Sequence, residues 1–500
     1  MDKKKGILNV TVSVAFRVLL LFGGIFVRRY LIKYTGNEIN GLNALFLSII
    51  GFLSVAELGM GNAITFCMYK PIVEADRQKV SALYHLLSKI YTIISGVIFG
   101  IGIGVMPFLP YLARGYQNID VNLYSTFFLM LVSVVLTYFY SSKISLINAY
   151  KNDYITTTIT SLGNLLQYAL QIIAVVYFRS FVAYLVSRII AVSFQWVLTE
   201  IIGRKKYAFV IKNKAQISQE TKKEVLRNVK AMFMHKVGYV LVNTVDSLII
   251  SAFIGVEVLG RYSNYTTIMT SMIAVINLFF TPLTSIIGHL FAEGDKEKTK
   301  SYYNFFYGAN YMVGAVFFLG YYAVINGLIT ICFGDGLEVS SQLVFVITVN
   351  YFIQFMRRST LVFRDATGVF YNDRWKPLVE GSVNVVLSIL LAKVIGTSGV
   401  IVATILTNLA VCHVIEPYVL HKNAFNTSPK KFMTKNYLFI SLFVCCLAVF
   451  HWCMTTRSSE WAEIIVNGCM SLVFSAALCI VMAFFNKDFC RYAARLLKRK

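Results

Sequence analysis

Apolar stretches follow one another along the whole chain, separated by short polar turns. Each runs about 20 residues or more, enough to cross a ~30 Å hydrocarbon core as a helix. Fourteen can be drawn: 7–33, 40–68, 82–110, 121–147, 155–178, 181–203, 231–255, 262–291, 301–325, 339–364, 376–395, 399–421, 434–455 and 461–485. They are too long and too continuously apolar for the alternating strands of about ten residues that build an outer-membrane barrel. The pattern therefore predicts an all-α polytopic membrane protein of about 14 transmembrane helices. MDKKKGILNV runs straight into the first span with no small-residue cleavage site, so that span is expected to stay as an anchor.

The polar turns repeat. TGNEINGL at 35–42 returns as IGVEVLGR at 254–261, sharing Gly-x-Glu-x-x-Gly; EADRQK at 74–79 returns as EGDKEK at 293–298. Both pairs lie 219 residues apart, and Asn152-Asp153 meets Asn372-Asp373 at 220. Echoes at one offset argue for a duplicated membrane domain, the usual build of a transporter with its site between the halves. The expected organisation is an N-lobe at 1–205 (spans 1–6), a basic linker at 206–230, a C-lobe at 231–422 (spans 7–12), and spans 13–14 with a basic tail at 423–500. Six spans is an even number, so the two six-helix lobes should be pseudo-two-fold related about an axis along the membrane normal. Within the linker, Ser218 begins a capping pattern that predicts a helix start.

Composition agrees. Mean hydropathy is +0.65, with 57% hydrophobic and 14% charged residues, more apolar surface than a soluble globule could hide. The net charge of +23 raises the question of nucleic acid. Its distribution answers it. With the N-terminus inside, inner loops hold roughly 35 cations against roughly 8 outside (Arg28, Arg29, Lys33, Arg114, Arg179, Arg261, Lys393, Arg457), a positive-inside bias. Arg357, Arg358, Arg364, Arg374 and Lys376 are counted here as inner-loop cations. The charge thus sets topology and meets anionic lipid heads; no nucleic-acid partner is expected. The nine cysteines lack a CxxC pair and read as buried apolar filler.

Ionisable groups within spans are costly and by default face the bundle interior. They are Arg17, Glu57, Lys89, Arg188, Lys236 and Asp246, with His85, His289, His413 and Glu416 nearer the ends. Asn9, Ser13, Arg17 and Gly24 share one helix face; so do Lys236, Tyr239, Asn243 and Asp246, and Lys236 stands 219 residues after Arg17. Two such stripes would line a cationic cavity, extended by Arg188 and Lys89. Guanidinium and ammonium groups in a low-dielectric chamber suit a diphosphate. The plainer reading of Lys89 and Lys236 is snorkelling to head groups. Asn43, Ser54, Glu57 and Gly61 share a face of the second span, where Glu57 is an ion site or a counter-ion, as is Asp246. His413-x-x-Glu416 has two metal-ligand types but no third ligand in view. The tyrosines (Tyr262, Tyr265, Tyr302, Tyr303, Tyr307, Tyr311) read first as helix packing and interfacial belts. Pro282 and the glycines Gly96, Gly100, Gly102 and Gly104 read as places where spans could bend. No Walker sequence is present. No cofactor or enzymatic site is expected, because all outer loops are short.

RRYLIKYTGNEINGLNALFLSIIGFLSVAELGMGNAITFCMYKPI (28–72) and VDSLIISAFIGVEVLGRYSNY (245–265) resemble the polysaccharide branch of the multidrug/oligosaccharidyl-lipid/polysaccharide (MOP) flippase superfamily. The chain looks like a Wzx-type exporter of lipid-linked repeat units. That resemblance implies a bacterial plasma-membrane protein working by alternating access, and the charge bias implies cytoplasmic termini. It would carry an undecaprenyl-diphosphate-linked oligosaccharide from the inner to the outer leaflet for surface-polysaccharide synthesis. It implies membrane lipids, a glycan polymerase and glycosyltransferases as partners, and a first-helix cavity arginine at Arg17. It also implies a lipid-tail groove formed by spans 13 and 14. The rivals are a cation-coupled drug antiporter of the same superfamily, which should have twelve spans and an acidic cavity, and a membrane glycan polymerase, which should have a large outer loop.

Overall fold

The computed structural model describes residues 3–57, 60–213, 244–280, 283–454, 460–486 and 488–491, with 215, 219, 225 and 240 singly. These residues are almost wholly helical, with no strand among them. The chain divides into two compact units, Met1–Gly260 and Arg261–Lys500.

The first unit holds α1 (Lys3–Thr35), α2 (Asn37–Leu53), α3 (Met60–Val73), α4 (Arg77–Val105), α5 (Leu109–Leu112), α6 (Leu123–Ala149), α7 (Asp153–Tyr177), α8 (Phe181–Lys206), α9 (Ala208–Ile211), α10 (Thr244–Ile254) and the first turn of α11 (Val256–Phe280). The second holds the rest of α11, then α12 (Leu283–Ala292), α13 (Lys296–Phe333), α14 (Ser341–Ala366), α15 (Lys376–Thr407), α16 (His413–Leu420), α17 (Lys430–Cys453) and α18 (Glu460–Phe485). Among the described residues eight helices are long and apolar enough to cross a membrane, counting Lys376–Phe425 as one. That run contains two expected spans, because Ile395 (φ −127°) and Gly396 (φ +61°) leave helical geometry between them. The described residues of every predicted apolar segment other than 231–255 fall on helix, apart from a few at the segment ends; of that one, only 240 and 244–255 are described. The expected helix start at Ser218 and the bend at Pro282 lie outside the described residues.

Two of the three sequence echoes have the same structural cause. Asp76 caps α4 by accepting from the Lys79 amide at 2.9 Å, and Asp295 caps α13 by accepting from the Lys298 amide at 2.9 Å. The residue before each cap is left-handed, Ala75 at φ 57° and Gly294 at φ 85°. The motif is thus a helix-start signal used twice. The Gly-x-Glu-x-x-Gly copies also open helices, and they touch each other within the first unit. Asn37 Nδ2 donates to the Glu257 carbonyl at 2.9 Å and Asn40 Nδ2 to the Gly260 carbonyl at 3.1 Å. The third echo is not equivalent: Asp153 is an exposed first-turn residue of α7, whereas Asp373 is buried and paired with Arg364 at 2.8 Å.

In the first unit α8 packs on α6 and α7, with α1 against α7 and α4 against α6. In the second, α13 lies against both α14 and α18. The core there is aromatic. Tyr303, Tyr307 and Tyr311, at helical spacing on α13, are fully buried against Phe432, Phe439 and Phe352. Phe352 and Phe443 stack at 3.6 Å. Burial of each such ring is worth about 2–3 kcal/mol, so the packing reading of these tyrosines holds.

Helix α4 runs unbroken through Gly96, Gly100 and Gly104, which face open space, while Gly102 packs on Leu131. Two readings need correction. Only Cys67 and Cys412 are buried; Cys445, Cys453, Cys469 and Cys490 are exposed. The face proposed for Asn43, Ser54, Glu57 and Gly61 is not one helical stripe, because a 3₁₀ turn at Ser54–Glu57 follows α2 and shifts the register.

Candidate functional site

Inside the first unit, α1, α6, α7 and α8 converge on a polar core built around Arg188. Arg188 sits about two turns into α8 and is partly buried. It interacts electrostatically with Tyr184 and Tyr140, and Tyr184 interacts in turn with Arg28 of α1 and Tyr168 of α7. Tyr140 donates to Gln195 Oε1 at 2.8 Å; Gln195 Nε2 donates to the Thr160 carbonyl and to Asn164 Oδ1, each at 3.2 Å. Gly163 makes this possible, since a Cβ there would lie 2.3 Å from Gln195 Nε2. Gly23 and Gly24 do the same for Tyr168, whose ring lies 2.8 Å from where a Gly23 Cβ would be. Among the described residues Arg188 has no carboxylate partner. A guanidinium set near two tyrosines, with no carboxylate counter-ion among the described residues, is a ready receptor for an anion.

The predicted residues divide into three groups. Arg188 has the anticipated interior position. Lys89 is exposed on α4 and joins no ion pair among the described residues, in keeping with the snorkelling reading. Glu57 lies 3.5 Å from the Tyr91 hydroxyl, close to Tyr138, with Gly61 leaving room for that hydroxyl. Tyr138 and Tyr140 are about 200° apart around α6, so the Glu57 and Arg188 clusters occupy opposite sides of that helix. Asp246 is half-buried on α10. Arg17 lies on α1 by its backbone; its side chain, together with Lys236, Tyr239 and Asn243, lies outside the described residues.

Two features were misplaced from sequence. Arg28 was assigned to an outer loop, but α1 continues to Thr35 and carries it into the Arg188 core. The signal was there: positions 17, 24 and 28 continue one 3.6-residue stripe. Arg357 and Lys376 were assigned to an inner loop. They instead form a closed ring in the second unit with Glu380 and Glu416. Arg357 Nη2 donates to Glu416 Oε1 at 2.6 Å and Nη1 to Glu380 Oε1 at 3.1 Å; Lys376 Nζ meets Glu416 at 2.5 Å and Glu380 at 3.1 Å. Asn408 Oδ1 accepts from Arg357 Nη1 at 2.5 Å. The ring ties α14, α15 and α16 together and is nearly dry, with Glu416 1% and Lys376 4% exposed.

This ring also removes His413-x-x-Glu416 as a metal pair. Glu416 is committed to two cations. His413 Nδ1 accepts from Asn436 Nδ2 at 2.8 Å, so its Nε2 carries the proton and donates to the Ile353 carbonyl at 3.0 Å. Asn436 accepts in turn from Tyr307 at 3.1 Å. No group of three metal-ligating side chains occurs among the described residues.

No protein-family model and no curated protein matches the sequence. Solved structures do. The lipid II flippase MurJ in an inward closed conformation aligns at 16% identity with a TM-score of 0.62, over 97% of this chain and 100% of that one. An inward-facing multidrug resistance MATE family transporter of the MOP superfamily aligns at 13% identity with a TM-score of 0.61, over 88% of this chain and 98% of that one. At such identities the likeness speaks for architecture, and the architecture is that of a polytopic helical membrane protein with the MOP fold.

Proposed function

We propose that the chain is a flippase that moves a polyprenyl-diphosphate-linked oligosaccharide from the inner to the outer leaflet of the bacterial plasma membrane. Its repeat-unit cargo would feed surface-polysaccharide synthesis, as for Wzx-type exporters. The observation that carries this reading is Arg188: a guanidinium within a membrane span, near Tyr184 and Tyr140, with Arg28 reaching the same Tyr184, and lacking a carboxylate partner among the described residues. Such a group must find an anion or remain an uncompensated cost. A diphosphate offers the oxygens that bidentate arginines match, while the sugars cross and the tail stays in lipid. The MurJ-like fold supports the lipid-linked class, and its alignment exceeds the MATE one by about the length of two helices. Arg17 is proposed for the same site from its place on the α1 stripe. Lys89, Lys236, Tyr239 and Asn243 complete the proposed cavity set, with Glu57 and Asp246 as ion-coupling or counter-ion groups.

A specific observation favours the second reading, a cation-coupled antiporter. Glu57 sits at a helix interruption beside two tyrosines, a place where a carboxylate can exchange a proton or sodium ion. One experiment separates the two. Inverted membrane vesicles carrying Arg188→Ala should lose transfer of a lipid-linked oligosaccharide by roughly tenfold or more, the worth of one charge-assisted contact, with Arg188→Lys keeping part of the rate. No transfer by the parent protein, alongside cation-dependent drug efflux lost in Glu57→Gln, would decide for the antiporter; undiminished transfer in Arg188→Ala would remove Arg188 from the site.

A further inference from the structure

A second polar cavity lies at one end of the second unit, away from any residue assigned so far. It has a volume of about 370 Å³ and opens where the last turns of α13 and α17 meet the first turns of α14 and α18. Its construction is fixed by hydrogen bonds on every side. Tyr265 donates to Asn326 Oδ1 at 2.6 Å and accepts from the Val339 amide at 3.0 Å, pinning the α13–α14 connection. Thr330 donates to Glu338 Oε1 at 2.5 Å, and Tyr322 is bonded to His451 Nδ1 at 2.6 Å. Gly327 lets α18 approach, since a Cβ there would lie 2.7 Å from Ile464.

The lining has two sides. Val344, Ala323 and Ile464 supply an apolar surface; Glu338, Glu463, His451 and Asn326 supply acceptors and an amide donor. No lysine or arginine lines it among the described residues, in a chain whose net charge is +23. Among the described residues that composition disfavours a phosphate, which would meet two carboxylates there and no cation. The volume is far larger than a metal ion needs. A flat ring with a C–H face and a rim of hydroxyls matches both sides: carboxylate, amide and imidazole groups take the hydroxyls, and the apolar patch takes the ring face.

We infer that this cavity is a saccharide-binding subsite, formed by α13, α14, α17 and α18 and separate from the Arg188 core. The inference deepens the flippase reading, on which the choice of a sugar over other hydroxyl-rich molecules rests. It gives spans 13 and 14 a role in holding the head group, beside the lipid-tail groove expected from the resemblance.

The test is direct binding to the full-length protein in lipid nanodiscs, with methyl glucoside and methyl N-acetylglucosaminide as probes in saturation-transfer NMR. Saturable binding is expected, weakened at least tenfold by Glu338→Gln and by His451→Phe and unchanged by Arg188→Ala. Inorganic phosphate and ethanolamine serve as comparison ligands and should not compete. Absence of saturable binding, binding indifferent to both substitutions, or displacement by ethanolamine would overturn the assignment. A water-soluble short-prenyl diphosphate disaccharide tells the two sugar sources apart. If it competes, the sugar belongs to the lipid carrier; if it does not, a free saccharide is the ligand, and either result upholds the site. Loss of the flippase reading would show separately, as absence of oligosaccharide transfer by the parent protein while glycoside binding persists.

Discussion

Replacing Glu416 with alanine should destabilise the protein by about 3–5 kcal/mol, the cost of removing one partner from a buried ion pair. The number follows from what remains. Glu416 accepts from both Arg357 and Lys376, so its loss leaves two buried cations facing Glu380 alone. Arg357→Ala should cost a similar amount for the converse reason: two carboxylates would then share Lys376. Glu416→Gln keeps the volume and one acceptor and should fall between these and the parent. The double variant Arg357→Ala, Glu416→Ala is the informative one. It leaves Lys376 and Glu380 as a neutral i,i+4 pair in apolar surroundings, so it should recover much of the loss, with a coupling of about 2 kcal/mol or more. Thermal unfolding of the detergent-purified protein measures all four. Single variants within about 1 kcal/mol of the parent, or a double variant equal to the sum of its singles, would show that the ring does not hold α14, α15 and α16 together.

The ring also shows what sequence reading could and could not reach. The helices were legible because each depends only on local apolar content; the caps at Asp76 and Asp295 showed only as a repeated turn, and the spans were drawn from 82 and 301. The partners of Arg357 were not, since Glu380 and Glu416 lie 23 and 59 residues away. A cation near a span end has two readings in sequence, a loop residue or a buried ion-pair member. The positive-inside count assigned the first, and folding chose the second where carboxylates on neighbouring segments came within reach. Arg28 was misread by the same rule although its helical stripe was visible. The Glu57 face failed for a different reason: a 3₁₀ turn resets the period, and no proline announces it between Asn43 and Glu57. The cavity beside His451 could not be foreseen, because its lining comes from four helices and every residue in it has an ordinary packing role in isolation.

The repeated Gly-x-Glu-x-x-Gly motif gives the other large effect, from one added methyl group. A Cβ on Gly41 would lie 1.8 Å from the Val256 carbonyl oxygen and 2.8 Å from its carbon, both backbone atoms that cannot rotate away. Its repeat partner Gly260 is equally confined, with a Cβ falling 2.5 Å from the Asn37 carbonyl oxygen. Relief requires the first turns of α2 and α11 to separate, and separation breaks the Asn37 and Asn40 amide bonds to Glu257 and Gly260. Overpacking costs about 1–3 kcal/mol and each lost hydrogen bond about 1 kcal/mol, so Gly41→Ala should lose roughly 3–5 kcal/mol. Gly100→Ala is the matched control: that glycine lies in mid-helix with nothing near its missing Cβ. There alanine should be neutral or better by up to about 1 kcal/mol, since it fixes helical backbone at lower entropic cost. The two substitutions are chemically identical and should differ in sign when unfolding is measured side by side. If Gly41→Ala unfolds like the parent, the two motif copies do not meet as closely as described. The duplication would then be a relic of helix-start signals alone, and its glycines would carry no contact between the copies.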